Sequence, residues 1–338
     1  MTIPRPAFLV LLALALARPA GADGPQSLRL VQTIPLPDVA GRIDHFVVDP
    51  ASQRMFLAAL EKNALEVVDL KAGRPERSLP GFLKPQGVLF VPRHNRLFVA
   101  CGKDGACKIL DGATLEVVRT VTVSLGADAL GYDPETDEVY IGSGGGDAGK
   151  DYGDLTIVQA SDGSPVAALH TDAHAGGTLV DPTGNRVFVE VPEKSEVVVL
   201  DRRSHAQLAK WKIPGIEKDV AQAFDPAGHR LMLGVRTPAS VVVLDSDSGA
   251  VVATAPTVGI LDGLSYDAAR HRIYTTGGEG FLDVTEQTDR DHYRRIERIP
   301  TGPIARTSYF VPEWNRLYVA VPRAKDRSAE IRIFETQP

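Results

Sequence analysis

Seven positions at nearly regular intervals carry the side chains most suited to binding or catalysis. Consecutive positions lie between 42 and 48 residues apart. They are occupied, in chain order, by Asp44, Gln86, Asp128, Gly176, Val220, Asp262 and Arg306. Further ionisable residues stand close to them in the chain: His45, His174, Lys218 and Asp219. Because these positions recur while their residue types do not, we predict that they surround a ligand-binding site.

Three interpretations of these side chains stay open from the sequence. Converging carboxylates with a histidine could bind a divalent cation, Ca²⁺ or Zn²⁺, through oxygen and nitrogen ligands. The same groups could instead hold a small polar ligand, with Arg306 or Lys218 binding its anion and Asp44 accepting hydrogen bonds. In the third interpretation the side chains only bind water. No cofactor is predicted beyond this possible divalent cation.

No familiar catalytic motif accompanies these positions. The chain has neither a G-x-S-x-G nor an H-E-x-x-H pattern, so it shows no recognisable nucleophile or zinc-peptidase motif. The glycine-rich run 142–151 includes G-x-x-x-x-G-K, but Asp151 follows where a phosphate-binding loop needs Ser or Thr. We therefore predict a surface loop there, in which Asp147, Asp151 and Asp154 could hold Ca²⁺ as an alternative.

An internal repeat predicts the elements that must position these residues. Each repeat contains an apolar strand ending in Asp-Pro or a related pair, a short turn, usually an arginine, and an apolar-aromatic strand. Examples are FVVDP at 46–50 before RMFLA, and LVDP at 179–182 before RVFV. Seven such segments occur, and a third Val-rich strand follows in most of them. A period of this length, filled by short strands and turns, is typical of β-propeller blades.

The predicted fold is therefore all-β: a seven-bladed β-propeller of four-stranded antiparallel blades. The last repeat ends without a fourth strand, whereas the segment 28–36 is an additional strand at the start. Pairing this N-terminal strand with the last blade would close the ring and cover two open sheet edges. We predict one domain over residues 23–338. The recurring Asp and Arg of each repeat are predicted to stabilise turns, since an active site is rarely built seven times.

These repeats resemble the YVTN-repeat, YncE-like family of seven-bladed propellers. The resemblance rests on strands such as RLYVA at 316–320 and on third strands such as VVDL at 67–70, and it covers nearly all of the chain. It implies a bacterial envelope protein. The wider quinoprotein amine dehydrogenase-like group also contains lactonases and the chain of quinoprotein amine dehydrogenases that bears no cofactor, so the resemblance does not choose an activity.

Residues 1–22 have the features of a cleaved secretory signal peptide. Arg5 precedes an apolar stretch at 7–17, and AGA at 20–22 provides a small-residue cleavage site. That stretch is too short for a membrane span, which needs about 20 residues. We therefore expect a periplasmic or secreted protein without membrane insertion. The formal charge of −6 and the lack of a basic stretch argue against nucleic acid as a partner.

The two cysteines, Cys101 and Cys107, stand on either side of a glycine-containing turn between two predicted strands. In an oxidising compartment such a pair could form a disulfide across the hairpin. A loop this short removes little chain entropy, so the bond would be a local link. We predict this disulfide, with two free structural thiols as the alternative.

The function that these observations favour is binding without catalysis. In a propeller the first strand of each blade lines a central channel, and the seven recurring positions would form a ring at one mouth of it. The face around this channel mouth would hold a protein, a peptide or a small polar ligand, and we expect a monomer. The alternative is a metal-dependent, lactonase-like hydrolase. In that case a divalent cation would polarise the substrate carbonyl and activate water, while Asp44 or His45 takes the proton.

Overall fold

The computed structural model describes residues 26–338, except for the side chain of Asp219. The predicted signal peptide, 1–22, lies outside the described residues. The chain forms seven four-stranded antiparallel sheets, and the strands of six of them follow each other in sequence. The seventh sheet combines the first strand of the chain with the last three. The predicted seven-bladed β-propeller is confirmed.

Strand β1 (Leu28–Leu36) precedes the first complete blade. Blade 1 consists of β2 (Phe46–Asp49), β3 (Arg54–Ala59), β4 (Ala64–Asp69) and β5 (Arg74–Pro80). Blade 2 consists of β6 (Pro85–Val91), β7 (Arg96–Cys101), β8 (Ala106–Asp111) and β9 (Val117–Thr122). Blade 3 consists of β10 (Leu130–Asp133), β11 (Glu138–Gly144), β12 (Gly153–Gln159) and β13 (Pro165–Thr171).

Blades 4 to 7 continue the same arrangement. Blade 4 consists of β14 (Thr178–Val180), β15 (Arg186–Val191), β16 (Glu196–Asp201) and β17 (Gln207–Lys212). Blade 5 consists of β18 (Glu217–Asp225), β19 (Arg230–Thr237), β20 (Ser240–Asp245) and β21 (Val251–Pro256). Blade 6 consists of β22 (Leu261–Asp267), β23 (Arg272–Gly277), β24 (Phe281–Asp289) and β25 (His292–Pro300). Blade 7 consists of β26 (Ser308–Val311), β27 (Arg316–Val321), β28 (Ala329–Thr336) and β1.

Helical structure among the described residues is limited to single 3-10 turns in the loops. They span Pro92–His94, Gly145–Ala148, Pro192–Lys194 and Pro312–Trp314. Within residues 26–338 the chain forms no helix whose length and apolar character would let it cross a bilayer.

The position of a strand within its blade decides how apolar it is. In blade 1 every residue of β2 is buried, and β3 and β4 are buried except at one end of each. The outer strand β5 is exposed along nearly its whole length. The inner strands are covered on both faces by the neighbouring blades, so their sequences are continuously apolar instead of alternating. Seven apolar clusters, one at each junction between successive blades, form the core.

The ring closes as predicted from the N-terminal strand. β1 pairs antiparallel with β28, with Leu36 opposite Ala329 and Leu28 opposite Thr336. The innermost strand of each blade packs against that of the next blade, and β26 of blade 7 packs against β2 of blade 1. The junction between these two blades contains Ile34 and Ile331, both fully buried. Pairing of the two chain ends therefore covers the edge of β28 and gives β1 a partner strand.

Aspartates at the ends of strands stabilise the turns, as predicted. The carboxylate of Asp49 accepts a hydrogen bond from the amide of Ala51 at 3.0 Å. Asp245, at the end of a third strand, accepts one from the amide of Ser248, also at 3.0 Å. An aspartate in this position satisfies backbone donors that a tight turn leaves without partners. These recurrent acids have a structural role.

The predicted disulfide between Cys101 and Cys107 is wrong: both are free and buried. Cys101 lies opposite Ala106 in the β7–β8 pair, which places Cys107 on the other face of the sheet. Cys101 accordingly belongs to the apolar cluster between blades 1 and 2, and Cys107 to the cluster between blades 2 and 3. Because neighbouring residues of a strand point to opposite faces, these two sulfur atoms are separated by the sheet itself.

Candidate functional site

One mouth of the central channel is built from the segments that lead into the inner strands. A cavity of about 560 Å³ opens there, lined by residues of all seven blades. The backbone ladder continues beyond the regular strands: the amide of Asp44 donates to Ala58 O at 2.9 Å, and that of Asp128 to Gly142 O at 3.0 Å. The predicted positions Asp44, Asp128 and Asp262 all line this cavity. The fold therefore brings together acids that are far apart in the chain.

Two of the three acids are held in ion pairs. Arg42 Nη2 donates to Asp44 Oδ2 at 2.9 Å. Arg236 Nη2 donates to Asp262 Oδ1 at 2.9 Å. Arg306 Nε lies 2.8 Å from Asp262 Oδ2, although the two atoms are not aligned for a hydrogen bond. The carboxylates of Asp44 and Asp262 are therefore fixed and neutralised by arginines.

Burial lowers the pKa of Arg306 below its ordinary value, and the charges around it act in both directions. Asp262 and Asp44 raise this pKa, whereas Arg42 and Arg236 lower it. The side chain of Arg306 is 12% exposed. Three arginines, Arg42, Arg236 and Arg306, thus pair with only two aspartates, Asp44 and Asp262. These five side chains together carry an excess of positive charge, and the third acid of the mouth, Asp128, is not one of them.

His45 lies at the same mouth, half-buried in the channel wall. Burial by itself would lower its pKa. The carboxylates of Asp44, Asp262 and Asp128 outweigh both burial and the opposing charge of Arg42, so the pKa of His45 is raised above 6.5. An imidazole among three carboxylates is therefore charged over a wider pH range than a free histidine.

Asp128 is the predicted acid without an ion pair among residues 26–338. Its Oδ1 atom is buried and accepts no hydrogen bond, although the residue lines the cavity. Nearby, the Nε atom of Arg42 is also buried and without an acceptor. A buried polar atom without a partner destabilises a protein by about 1–3 kcal/mol. The mouth thus presents an unused acceptor and an unused donor.

The other predicted site residues differ in their relation to the cavity. His174 and Lys218 line it, His174 half-buried and Lys218 exposed at the rim. Gln86 is buried and is not one of the lining residues; its Oε1 would lie 2.9 Å from a Cβ placed on Gly102. The side chain of Asp219 lies outside the described residues.

Arg42 and Arg236 belong to this cluster but were not among the predicted site residues. Arg42 stands two residues before Asp44, so a wider window around each recurring position would have included it. Arg236 lies near the end of the second strand of blade 5, and its Nε donates to Leu261 O at 2.9 Å. No spacing in the sequence relates Arg236 to Asp262. Only the packing of blade 5 against blade 6 brings them together.

The described part of the chain does not provide a fitting site for a divalent cation. Within residues 26–338 no group of three His, Cys, Asp or Glu side chains is arranged to hold a metal ion. At the channel mouth Asp44 and Asp262 already pair with arginines, so their carboxylates are not free to act as metal ligands. The predicted Ca²⁺ or Zn²⁺ site remains a hypothesis without a ligand set here.

Exposed apolar side chains lie on the same face of the propeller as the charged mouth. They lie on the loops that lead into the inner strands and are Leu83, Leu125, Ile260 and Ile304, with exposed fractions of 40%, 44%, 51% and 54%. We call these four residues the apolar rim. Ile260 and Ile304 also have φ angles of 53° and 64°. A β-branched residue rarely adopts this left-handed conformation, because its Cβ substituents clash with the backbone.

Comparison with solved structures supports the fold alone. The chain is similar to hydrazine synthase from Kuenenia stuttgartiensis, with a TM-score of 0.76 over 88% of this chain and 96% of that chain. The identity between the two is 13%. No protein-family model matches the sequence, and no curated protein matches it. The resemblance to the YVTN-repeat, YncE-like family therefore stays a prediction, while the propeller architecture is shared with a known structure.

Proposed function

We propose that this propeller is a binding protein that holds a small polar ligand, bearing an ammonium group, at its channel mouth. The observation that carries this proposal is Asp128, which lines a cavity of about 560 Å³ and whose buried Oδ1 atom has no partner. A ligand ammonium group would supply the missing donor and a countercharge. Small-molecule sites commonly have volumes of about 300–1,000 Å³, so the cavity has a suitable size.

The neighbours of Asp128 favour a ligand that also carries an acceptor. Arg42 Nε is buried without a partner, and the raised pKa of His45 favours its charged, donating form. A carboxylate or hydroxyl on the same ligand could accept hydrogen bonds from these groups. Asp44 and Asp262 would contribute indirectly, because their ion pairs hold the arginines in place. This division of roles favours binding over catalysis, since the paired carboxylates are poorly placed to accept a proton.

Calorimetric titration of the purified protein with three probes of equal chain length tests this proposal. The probes are γ-aminobutyrate, butylamine and butyrate, which separate the ammonium group from the carboxylate. We expect γ-aminobutyrate to bind most tightly, butylamine more weakly, and butyrate at least tenfold more weakly than butylamine. A tenfold difference corresponds to about 1.4 kcal/mol of binding free energy.

Substitution of the central acid provides the second part of the test. We expect Asp128→Asn to weaken the binding of both amines at least tenfold, because the ligand ammonium group loses its countercharge. Asp151→Asn is the matched control, since Asp151 is an exposed acid outside the channel lining. The proposal is refuted if no amine binds, or if the Asp128 variant binds the amines as tightly as the control.

The apolar rim favours a second candidate function, the docking of a partner peptide over the same mouth. Exposed isoleucines in a strained backbone conformation are unfavourable in the free protein, and contact with an apolar partner would offset part of that cost. Panning a random-peptide library on phage against the protein would test this. Binders should be lost on the double variant Ile260→Asn, Ile304→Asn and kept on Val118→Ser, which removes an equally exposed apolar side chain from an outer strand. Binders that do not distinguish the two variants would exclude the rim as the docking surface.

A further inference from the structure

On the face opposite the candidate site, an arginine side chain links the two blades at nearly every junction. These are the arginines that begin the second strands, and we call them the repeat arginines. Each donates to a residue in the turn after the third strand of the next blade. The pairs are Arg54 with Gly112 O, Arg96 with Ser161 O, Arg186 with Ser246 O, Arg230 with Asp291 and Arg272 with Gln337 O.

The junction between blades 3 and 4 is crossed in the reverse direction. Blade 3 begins its second strand with Glu138 instead of an arginine. Arg202, in the turn after the third strand of blade 4, reaches back to the carboxylate of Asp133. Six of the seven junctions on this side are thus bridged by an arginine within the described residues. On this side of the propeller, an arginine side chain that bonds to a turn of the adjacent blade is therefore the usual contact between blades.

The junction between blades 7 and 1 departs from this rule. Its repeat arginine, Arg316, makes no hydrogen bond or ion pair across this junction within residues 26–338; its charge acts on Tyr318 and Glu335 of its own blade. The residue that corresponds to Gly112 and Ser246 in blade 1 is Leu70, which directly follows the last aspartate of the third strand. A cavity of about 300 Å³ lies at this position, and Gln53, Leu70, Trp314, Arg316, Tyr318 and Ile333 line it. We call it the seam cavity.

A buried hydroxyl group of the seam cavity also lacks an acceptor. Tyr318 is fully buried, and its hydroxyl donates to no acceptor within the described residues. The corresponding tyrosine of blade 6, Tyr274, donates its hydroxyl to Asp267 at 2.9 Å. In blade 7 the position of Asp267 is occupied by Val311, so the carboxylate that would accept this bond is missing. Blade 6 therefore shows one acceptor that a tyrosine at this position can use: a carboxylate.

The nearest carboxylate in the β27–β28 pair does not supply the missing acceptor. Glu335 lies opposite Arg316 in the β27–β28 pair, but its carboxylate pairs with Arg29 instead. Arg316 and Tyr318 both line the seam cavity. Burial raises the pKa of Tyr318, and the hydrogen-bonding and charge of the Arg316 guanidinium oppose that rise. Of the other walls, Trp314, Leu70 and Ile333 are apolar and Gln53 is polar. The seam cavity thus combines donors with aromatic and aliphatic surface.

We propose that the seam cavity binds a small carboxylic acid with an apolar, preferably aromatic, body. Its carboxylate would accept hydrogen bonds from Arg316 and from Tyr318 Oη, supplying the acceptor that Asp267 supplies in blade 6. Its apolar part would pack on Trp314, Leu70 and Ile333. Charged donors at one end of an apolar pocket are a common basis for recognising carboxylates. This site is separate from the channel mouth, and its existence does not depend on the function proposed for that mouth.

Tryptophan fluorescence provides a direct measurement, because Trp314 forms part of the wall. The second tryptophan, Trp211, lies in blade 4, where it packs on Phe188. It is replaced by Phe so that the fluorescence comes from Trp314 alone. The probes are 3-phenylpropionate, the uncharged 3-phenylpropanol and propionate. We expect saturable quenching of Trp314 by 3-phenylpropionate, with at least tenfold weaker binding of each of the other two. Equal affinity for the acid and the alcohol, or no saturable quenching by the acid, would overturn the proposal.

Two variants separate recognition from folding. Arg316→Gln should weaken 3-phenylpropionate at least tenfold and change 3-phenylpropanol less than twofold. Tyr318→Phe removes only a hydroxyl that has no acceptor, so this variant should fold normally. It should bind the acid several times more weakly than the wild type does. Arg74→Gln, an exposed arginine on an outer strand, is the matched control and should leave both affinities unchanged. If Tyr318→Phe and Arg316→Gln bind the acid like the control, the seam cavity is not a carboxylate site.

Discussion

Replacing Arg202 by methionine should strongly destabilise the protein, because it would leave a buried carboxylate without its partner. Asp133 has no exposed surface, and Arg202 is 5% exposed. Arg202 donates through Nε and Nη2 to the two oxygens of Asp133, and through Nη1 to Glu135 Oε2 at 2.9 Å. Removing one member of a buried ion pair typically costs about 3–5 kcal/mol, and we expect Arg202→Met to fall in that range.

The adjacent residue provides a matched control for this prediction. Arg203 also pairs with Glu135, but its side chain is 71% exposed and that of Glu135 is 50% exposed. Exposed ion pairs contribute about 0–1 kcal/mol, so Arg203→Met should change the free energy of unfolding by less than 1 kcal/mol. Urea unfolding at pH 7, followed by tryptophan fluorescence, would give both values. Equal destabilisation by the two substitutions would refute the reasoning from burial.

The pH dependence of the same variants tests whether the charge is responsible. Burial would raise the pKa of Asp133, but the hydrogen bonds and charge of Arg202, together with the Glu135 amide and the Thr136 side chain, lower it overall. A lowered pKa stabilises the fold above the unfolded value of about 3.9 and loses this effect as the pH falls through the folded value. The difference in the free energy of unfolding between wild type and Arg202→Met should therefore become smaller as the pH is lowered. A constant gap would mean that the loss arises from packing alone.

Two further predictions concern other titratable groups. Because the pKa of His45 is raised, its charged form stabilises the fold below about pH 6.5, and this contribution is lost as the pH rises through the folded value. The stability difference between wild type and His45→Gln should therefore shrink at alkaline pH, and an NMR titration of His45 with a pKa below 6.5 would contradict this. Burial raises the pKa of Cys101 to about 12, and burial also raises that of Cys107, so neither thiol should react with a disulfide reagent in the native state. Two thiols per chain should react after unfolding, and a reductant should not shift the Tm; one disulfide in the purified protein would show that the strand faces are assigned incorrectly.

The blades and their order could be predicted because each blade is specified by local pattern. Short Val-rich strands identify the repeats, most of which also carry an aspartate and an arginine at their turns, and the extra strand 28–36 identifies the closure. The candidate site was only partly accessible by the same route. Counting from the repeats located Asp44, Asp128 and Asp262, since equivalent positions in a closed ring meet at its axis. It missed Arg236, which reaches the mouth from a second strand.

The pattern of apolar residues and turns along the chain is enough to specify the architecture: seven sheets, their strands and the pairing of the chain ends. Which side chains have partners depends on how the folded blades pack. Strand register separated Cys101 from Cys107, and the packing of blade on blade paired Asp262 with two arginines while leaving Asp128 without one. The physical reason is that secondary structure follows from the period of apolar residues along the chain. Hydrogen bonds and ion pairs between side chains depend instead on distances of a few ångströms between segments that no spacing in the sequence relates.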